Sequence, residues 1–200
     1  MKKIILATRN KGKIAEIKAI LADAGAEFLS LDDLPDLHMP QEKGTTFKIN
    51  AVMKARFIVL KTRMPVIADD SGLEVDSLGM RPGIHSARYA GPFADDKKNI
   101  EKLLEDMKAK PVGNRTARFR CVIAYAEPGK GEIAFEGALT GEIAMAPKGE
   151  NGFGYDPVFL LPSAGKTLAE LTLDEKNAVS HRALALKKLK KWFDNMWNEN

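Results

Sequence analysis

The stretch KIILATRNKGKIAEIKAILADAGAEFLSL, Lys3 through Leu31, decides the fold class. Lys3 to Ala7 is a short apolar run with the length of a buried strand. From Lys13 to Ala24 the apolar positions Ile14, Ile17, Ala19, Ile20 and Leu21 recur with the spacing of an amphipathic helix, which Gly25 stops. A second short run, Glu27 to Leu31, reads as another strand. Strand, loop, helix, strand is the grammar of an α/β protein.

The rest of the chain extends that pattern. Residues 32–43 carry Asp32-Asp33, Pro35 and Pro40 and read as loop. Thr45 or Thr46 caps a helix running to about Thr62. Met64 to Ala68 reads as a buried strand that delivers the chain into an acidic turn, Asp69-Asp70-Ser71-Gly72, with Leu73 to Val75 a brief return strand. Gly79 to Pro92 is a Gly- and Pro-rich loop, and Asp95 to Lys108 a helix. Thr116 to Ala126 and Glu132 to Ile143 form a hairpin across Pro128-Gly129-Lys130-Gly131. In its first strand Ala117, Phe119, Cys121, Ile123 and Tyr125 share one face, and Arg118 and Arg120 take the other. A strand at Val158 to Leu161 and one helix from about Asp174 to Trp197 close the chain. Helical crossovers plus one hairpin predict a mixed central sheet flanked by helices.

Composition narrows the function classes. Two hundred residues at 44% hydrophobic content fit a single domain over 1–200, and 29% charged residues of mixed sign argue against disorder. The net charge of +4 admits an anionic ligand. The one dense basic cluster, Lys187, Lys188, Lys190 and Lys191, sits near a helix end where cations suit the dipole. Interleaved basic and aromatic stretches are missing, so no nucleic-acid partner is expected despite a pI near 9.0. Cys121, the single cysteine, lies in an apolar run and reads as a small buried hydrophobe. No apolar stretch approaches the ~20 residues that span a bilayer, and no signal pattern opens the chain. The expectation is a cytoplasmic protein without a membrane partner.

Four groups of residues could carry chemistry. Thr8-Arg9-Asn10-Lys11-Gly12-Lys13 lies between a strand and a helix, where unpaired N–H groups and the dipole favour an anion. It is not a Walker A loop, since Ile14 follows Lys13, and it equally suits a turn capped by Asn10. Asp69-Asp70-Ser71-Gly72 follows a buried strand, where ligands gather in α/β sheets. Its carboxylates suit Mg²⁺, with Glu42 as a possible second ligand, or else an Asx-turn. Gly152-Phe153-Gly154-Tyr155-Asp156-Pro157 lets backbone and a ring approach a flat ligand, or is a tight bend with its aromatic in the core. Lys176-Asn177 and Ser180-His181-Arg182 could contact phosphate or a base edge. His38 and His85 lack metal-ligand spacing. Trp192 and Trp197 read as late core or dimer-contact residues.

Taken in order, Thr8-x-Asn10-x-x-Lys13, Ala68-Asp69-Asp70-Ser71-Gly72-Leu73, Pro82 to Gly91, Gly152 to Pro157 and Ser180-His181-Arg182 closely resemble the XTP/dITP diphosphatases, the inosine triphosphate pyrophosphatase family. The resemblance runs from about residue 2 to about 190. It implies an elongated α/β fold with a cleft between two lobes, a cytoplasmic homodimer, and hydrolysis of abnormal purine nucleoside triphosphates (ITP, dITP, XTP) to the monophosphate and pyrophosphate. By the same resemblance Thr8, Arg9, Asn10, Lys11, Gly12 and Lys13 would hold the triphosphate. Glu42 and Asp70 would bind Mg²⁺, and Asp70 would also take the proton of the attacking water. Ser71 would contact substrate, and Lys54 stands where a substrate-facing lysine is common. Phe153, Gly154, Tyr155, Asp156, Lys176, His181 and Arg182 would form the base and sugar pocket. One departure touches chemistry: Ile49, in Thr46-Phe47-Lys48-Ile49-Asn50-Ala51, replaces a carboxylate common in relatives, which predicts weaker Mg²⁺ binding if that carboxylate orders the metal. A diphosphatase with another base preference and a non-catalytic nucleotide sensor are the alternatives.

Overall fold

The computed structural model describes residues 2–198. Strand β1 (Lys2–Leu6) leads into helix α1 (Lys11–Ile20) and returns as β2 (Ala26–Ser30), in parallel with β1. The opening is therefore the strand–helix–strand unit that its apolar spacing demands. Helix α1 starts two residues before the periodic stretch because Asn10 caps it, its side chain accepting from the Lys13 amide. Helix α2 (Phe47–Thr62) starts at Thr46, whose hydroxyl accepts from the Ile49 amide, and ends on Arg63 in the left-handed region.

Among the described residues, eight strands make one mixed sheet in the order β2-β1-β3-β5-β6-β7-β8, with the short β4 paired to β3. β3 (Val66–Val75) runs parallel to β1. β4 (Arg81–Pro82) is antiparallel to β3. Helix α3 (Asp96–Met107) precedes β5 (Thr116–Glu127) and β6 (Gly131–Ile143). β7 (Phe159–Leu161) is antiparallel to β6, and β8 (Lys166–Thr167) to β7. The chain ends in α4 (Leu173–Val179) and α5 (His181–Asn198).

Two expectations are corrected. Asp69-Asp70-Ser71-Gly72 is not a turn: it lies inside β3, which continues unbroken to Val75. Successive residues of a strand face opposite sides, so Asp69 and Asp70 part company and each meets its own cations, which removes the need for a turn. The single closing helix is two helices. Ser180 is extended (φ −65°, ψ 154°), ends α4 and lets His181 begin α5. Apolar periodicity runs across that break, so it left no trace in the spacing.

The chain divides into two compact units, the first holding residues up to Asp70, Cys121–Gly137 and from His181 onward, the second holding Ser71–Arg120 and Ala138–Ser180. Each has its own core. In the first, Ile4 and Leu6 of β1, Ile17 and Leu21 of the α1 segment, and Ile123 and Tyr125 of β5 pack with Ala185, Leu186, Leu189 and Phe193 of α5. Half-buried Trp192 stacks on Tyr125 and Phe193, as a late core residue should, whereas the side chain of Trp197 lies outside what is described. In the second, Leu73 and Val75 pack with Leu103 and Met107 of α3, Ala117 and Phe119 of β5, Ile143, Tyr155, Phe159 and Leu168. From Cys121 to Ala126 every residue of β5 is buried, as a strand covered on both faces requires. Among the described residues no helix is long and apolar enough to cross a membrane.

Candidate active site

The first unit gathers most of the expected residues at the carboxyl ends of β1 and at Asp69-Asp70 of β3. Thr8 Oγ1 accepts from the Asn10 amide at 3.1 Å, and Asn10 Oδ1 from the Lys13 amide at 3.0 Å. These bonds shape the start of α1, where Lys11 stands exposed and Gly12 half-buried. Arg9 instead binds Asp32 Oδ1 and the Leu37 carbonyl, both at 3.2 Å, and braces the following loop. Lys13 turns inward and pairs with Asp69.

Asp69 is the centre of a buried charge network. It accepts from Lys13, from Arg182 Nε at 2.8 Å and from the Cys121 thiol at 3.1 Å. Arg182 in turn donates to Glu16 on α1. Burial alone would raise the Asp69 carboxyl, but Arg182 and Lys13 hold it well below the ordinary carboxylate range. The Arg182 guanidinium is correspondingly driven up by Asp69 and Glu16 against the pull of burial. Cys121, expected only to fill space, also donates; burial and the Asp69 charge push its thiol well up, which keeps it protonated and inert. Two carboxylates and two cations make this network neutral.

Asp70, on the other face of β3, meets Lys54 of α2. Lys54 Nζ donates to Asp70 Oδ1 at 2.8 Å, to Glu42 Oε1 at 2.8 Å and to the Asp69 carbonyl at 2.7 Å. Glu42 is delivered from its loop by a neighbouring tie: the Gly44 amide donates to Asn50 Oδ1 at 2.8 Å. A Cβ at Gly44 would overlap the Asn50 and Ile49 side chains, which would have to shift to admit it. Two carboxylates share one ammonium. The protonation equilibria follow: burial raises Asp70 and Glu42 adds to it, while Lys54 and Lys13 pull it back. Lys54 is pushed down by burial but carried above its ordinary value by Asp70 and Glu42. The donor set, two carboxylates with hard oxygen atoms, fits a divalent cation such as Mg²⁺. Among the described residues no group of three or more His, Cys, Asp or Glu side chains is placed to hold a metal ion. A cation here would therefore draw its remaining ligands from water or a bound anion.

The second unit holds the aromatic bend. Gly152 (φ 77°) and Gly154 (φ 61°) sit in the left-handed region, and a Cβ at Gly152 would overlap the Asp156 carboxylate. Asp156 Oδ2 accepts from the Phe153 amide at 2.9 Å and from Lys176 of α4, both of the latter side chains being buried. Lys176 Nζ lies 4.6 Å from the centroid of the half-buried Phe153 ring. Tyr155 goes elsewhere: its ring belongs to the second core and its hydroxyl donates to the Ser86 carbonyl at 2.8 Å. Burial pushes that hydroxyl's pKa up, so Tyr155 remains a neutral core donor. Ser71 is half-exposed, and His181 is buried beside Arg182 at the start of α5. The structure thus joins Glu42, Lys54 and Asp70, joins Lys13 to Asp69 and Arg182, and separately joins Phe153, Asp156 and Lys176.

Four contributors were missed in the sequence. Glu16 occupies the i+3 position from Lys13 in the stripe that includes Ile17 and Ile20, and a carboxylate in an apolar stripe was the available signal. Asp69 was read as shaping a turn. Asn50 acts only six residues back, on Gly44, from the first turn of α2, where its side chain reads as an ordinary helix residue; Asp96 acts on a loop 58 residues away that no spacing rule reaches, its Oδ2 accepting from the Gly154 amide at 2.7 Å.

Fold and site together define an α/β protein with a helix start suited to anions, whose Lys13 acts on Asp70, one of two carboxylates that answer to one buried lysine. That chemistry suits phosphoanhydrides. The chain belongs to the Ham1 family, whose model matches residues 4–192. It is 53% identical over 199 residues to the dITP/XTP pyrophosphatase of Geobacillus kaustophilus, covering 100% of this chain and 96% of that one. It is 54% identical over 194 residues to the dITP/XTP pyrophosphatase of Halalkalibacterium halodurans, covering 97% and 100%. The solved HAM1 protein of Coxiella burnetii matches at a TM-score of 0.89 and 42% identity, over 98% of this chain and 100% of that one. The Staphylococcus aureus Ham1 protein matches at 0.86 and 41%, with the same coverage.

Proposed function

We propose that this chain hydrolyses dITP, XTP and ITP to the monophosphate and pyrophosphate, clearing abnormal purine nucleotides from the pool. The observation that carries the reading is the meeting of Glu42 and Asp70 on the Lys54 ammonium, with Lys13 close enough to influence Asp70. Water attacks the α-phosphorus, the bond from it to the bridging oxygen breaks, and pyrophosphate leaves. Asp70, raised by burial, accepts the water's proton. Lys11, Lys13 and the start of α1 hold the phosphate tail. Lys54 holds both carboxylates in place through the reaction.

Glu42 and Asp70 are the residues that would hold Mg²⁺, which when bound neutralises charge on phosphate oxygens. Recognition of the base rests on the aromatic bend in this reading. Phe153 offers a stacking face, and the Lys176 ammonium, a pure donor, donates to the 6-oxo oxygen of the purine and has nothing to accept the amino group of adenine. Arg182 then serves through Asp69, since two of its nitrogens are committed to Asp69 and Glu16. A cytoplasmic homodimer belongs to the same proposal.

The test is pyrophosphate release from dITP, XTP, ITP, ATP and dTTP with Mg²⁺. Release from the first three and little from the others is expected. No release from any substrate defeats the hydrolase reading, and preference for dTTP defeats the purine reading.

A further inference from the structure

Two neighbouring acids open α3, and they divide their work. Asp95 is the cap: its side chain accepts from the Lys98 amide at 2.8 Å. Asp96 is not needed for that task. Its Oδ2 instead accepts from the amide of Gly154, 58 residues away, at 2.7 Å. The partner is not an ordinary loop amide. Gly154 lies in the left-handed region at φ 61°, directly after Phe153, whose own amide is taken by Asp156. Two successive N–H groups of the aromatic bend are thus each closed by a carboxylate, one from within the bend and one from α3. Asp156 in turn holds Lys176, and Lys176 stands over the Phe153 ring.

A bend held at two consecutive amides has little freedom to tilt the ring between them, and preorganisation of that kind is worth affinity. We propose that Asp96 is a positioning residue for base recognition: by holding the Gly154 amide it fixes the Phe153 ring and its Lys176 neighbour for a purine. This rests on the base role proposed above for that bend. Asp96 touches no reacting atom and acts on the ring through the backbone of Gly154.

The test compares a probe that carries the base with one that does not. Binding of deoxyinosine monophosphate and of inorganic tripolyphosphate is measured by calorimetry for the wild type, Asp96→Ala and Asp96→Asn. Loss of one charge-assisted bond at an exposed site predicts dIMP binding about fivefold weaker in Asp96→Ala. Tripolyphosphate binding should stay within about twofold, the range of independent sites. Asp96→Asn, which retains an acceptor oxygen, should restore dIMP binding. In turnover, KM for dITP should rise in Asp96→Ala by the factor seen for dIMP while kcat holds. A merely structural residue would lower the melting temperature without separating the two probes. Unchanged dIMP binding, equal weakening of both probes, or failure of a folded Asp96→Asn to recover overturns the proposal. A wild type that binds tripolyphosphate but not dIMP overturns it as well. Absence of turnover in a wild type that binds both probes counts against the hydrolase reading and leaves the role of Asp96 to the binding data.

Discussion

Replacing Lys54 with methionine removes the one cation held by both Glu42 and Asp70 while keeping an apolar stem of similar length. The Lys54 side chain is 6% exposed, that of Asp70 10% and that of Glu42 30%. Removing one member of a buried pair costs about 3–5 kcal/mol, because the remaining charge stays desolvated. The Glu42 contact, with close to a third of its side chain in solvent, adds only about 0–1 kcal/mol. Losing the donor to the Asp69 carbonyl adds about 1 kcal/mol, and proton uptake by a stranded carboxylate gives some of the total back. The expected net loss is thus about 3–5 kcal/mol. At about 2–4 °C per kcal/mol for a chain of this size, the melting temperature should fall by roughly 10 °C. Thermal denaturation at pH 7, followed by circular dichroism, measures it. Lys54→Met/Asp70→Asn should recover much of the loss, since the stranded charge leaves with its partner. A fall under about 3 °C in the single variant, or no recovery in the double, would refute Lys54 as the counter-charge of the pair.

Three other outcomes follow from the same geometry. Asp70→Asn should lower kcat for dITP by about 10²–10⁴-fold, the span of general-base catalysis. Its melting temperature should stay at or above the wild-type value, because one of two carboxylates competing for Lys54 is gone; a retained rate would remove Asp70 from the proton-accepting role. Ile49→Glu should stabilise by up to about 1 kcal/mol, because Thr46 caps α2 and a glutamate three residues on completes a capping box near the positive helix end. Ile49 is 45% exposed and gives up little burial. A several-fold fall in the Mg²⁺ concentration for half-maximal activity would bear out the weaker Mg²⁺ binding expected from the loss of a carboxylate at that position, and an unchanged value would confine the effect to the helix start. Tyr89 donates to Asp106, and burial together with that bond raises its hydroxyl from the ordinary 10 to about 12. A raised pKa favours the neutral form in the folded state, so this stabilisation is whole below pH 10 and fades as pH climbs to about 12. Chemical denaturation should therefore show Tyr89→Phe less stable than wild type at pH 9, with the gap closing toward pH 12; a gap constant with pH would discount the bond.

How much of this was legible depended on range. The parallel opening of β1, α1 and β2, the Asn10 cap, the long hairpin of β5 and β6 and the mixed sheet all follow from local spacing and short-range polarity. Asp70, Glu42 and Lys54 could be named as candidates, but only the resemblance linked them. Where the prediction failed, a tertiary contact had replaced a local one. Asp69-Asp70-Ser71-Gly72 has the composition of a turn, yet cations on both faces of the sheet hold it extended. Tyr155 sits in a glycine-rich bend that suits ligand stacking, yet its ring finds the second core and its hydroxyl the Ser86 carbonyl.

The chain by itself determined the α/β class, the helix starts, the buried strands and the residue types able to meet a triphosphate, because helical period, strand run and capping are properties of neighbours a few positions apart. Only the tertiary structure decided what those residues do to one another. Arg182 meets Asp69 and Glu16 across 113 and 166 residues, and Lys54 meets Asp70 across 16. Buried charges must find partners wherever the fold brings them. No sequence pattern records that pairing, so the division of labour between Asp69, which anchors, and Asp70, which faces the Glu42 pair, emerges only when β3 is laid between α1, α2 and α5.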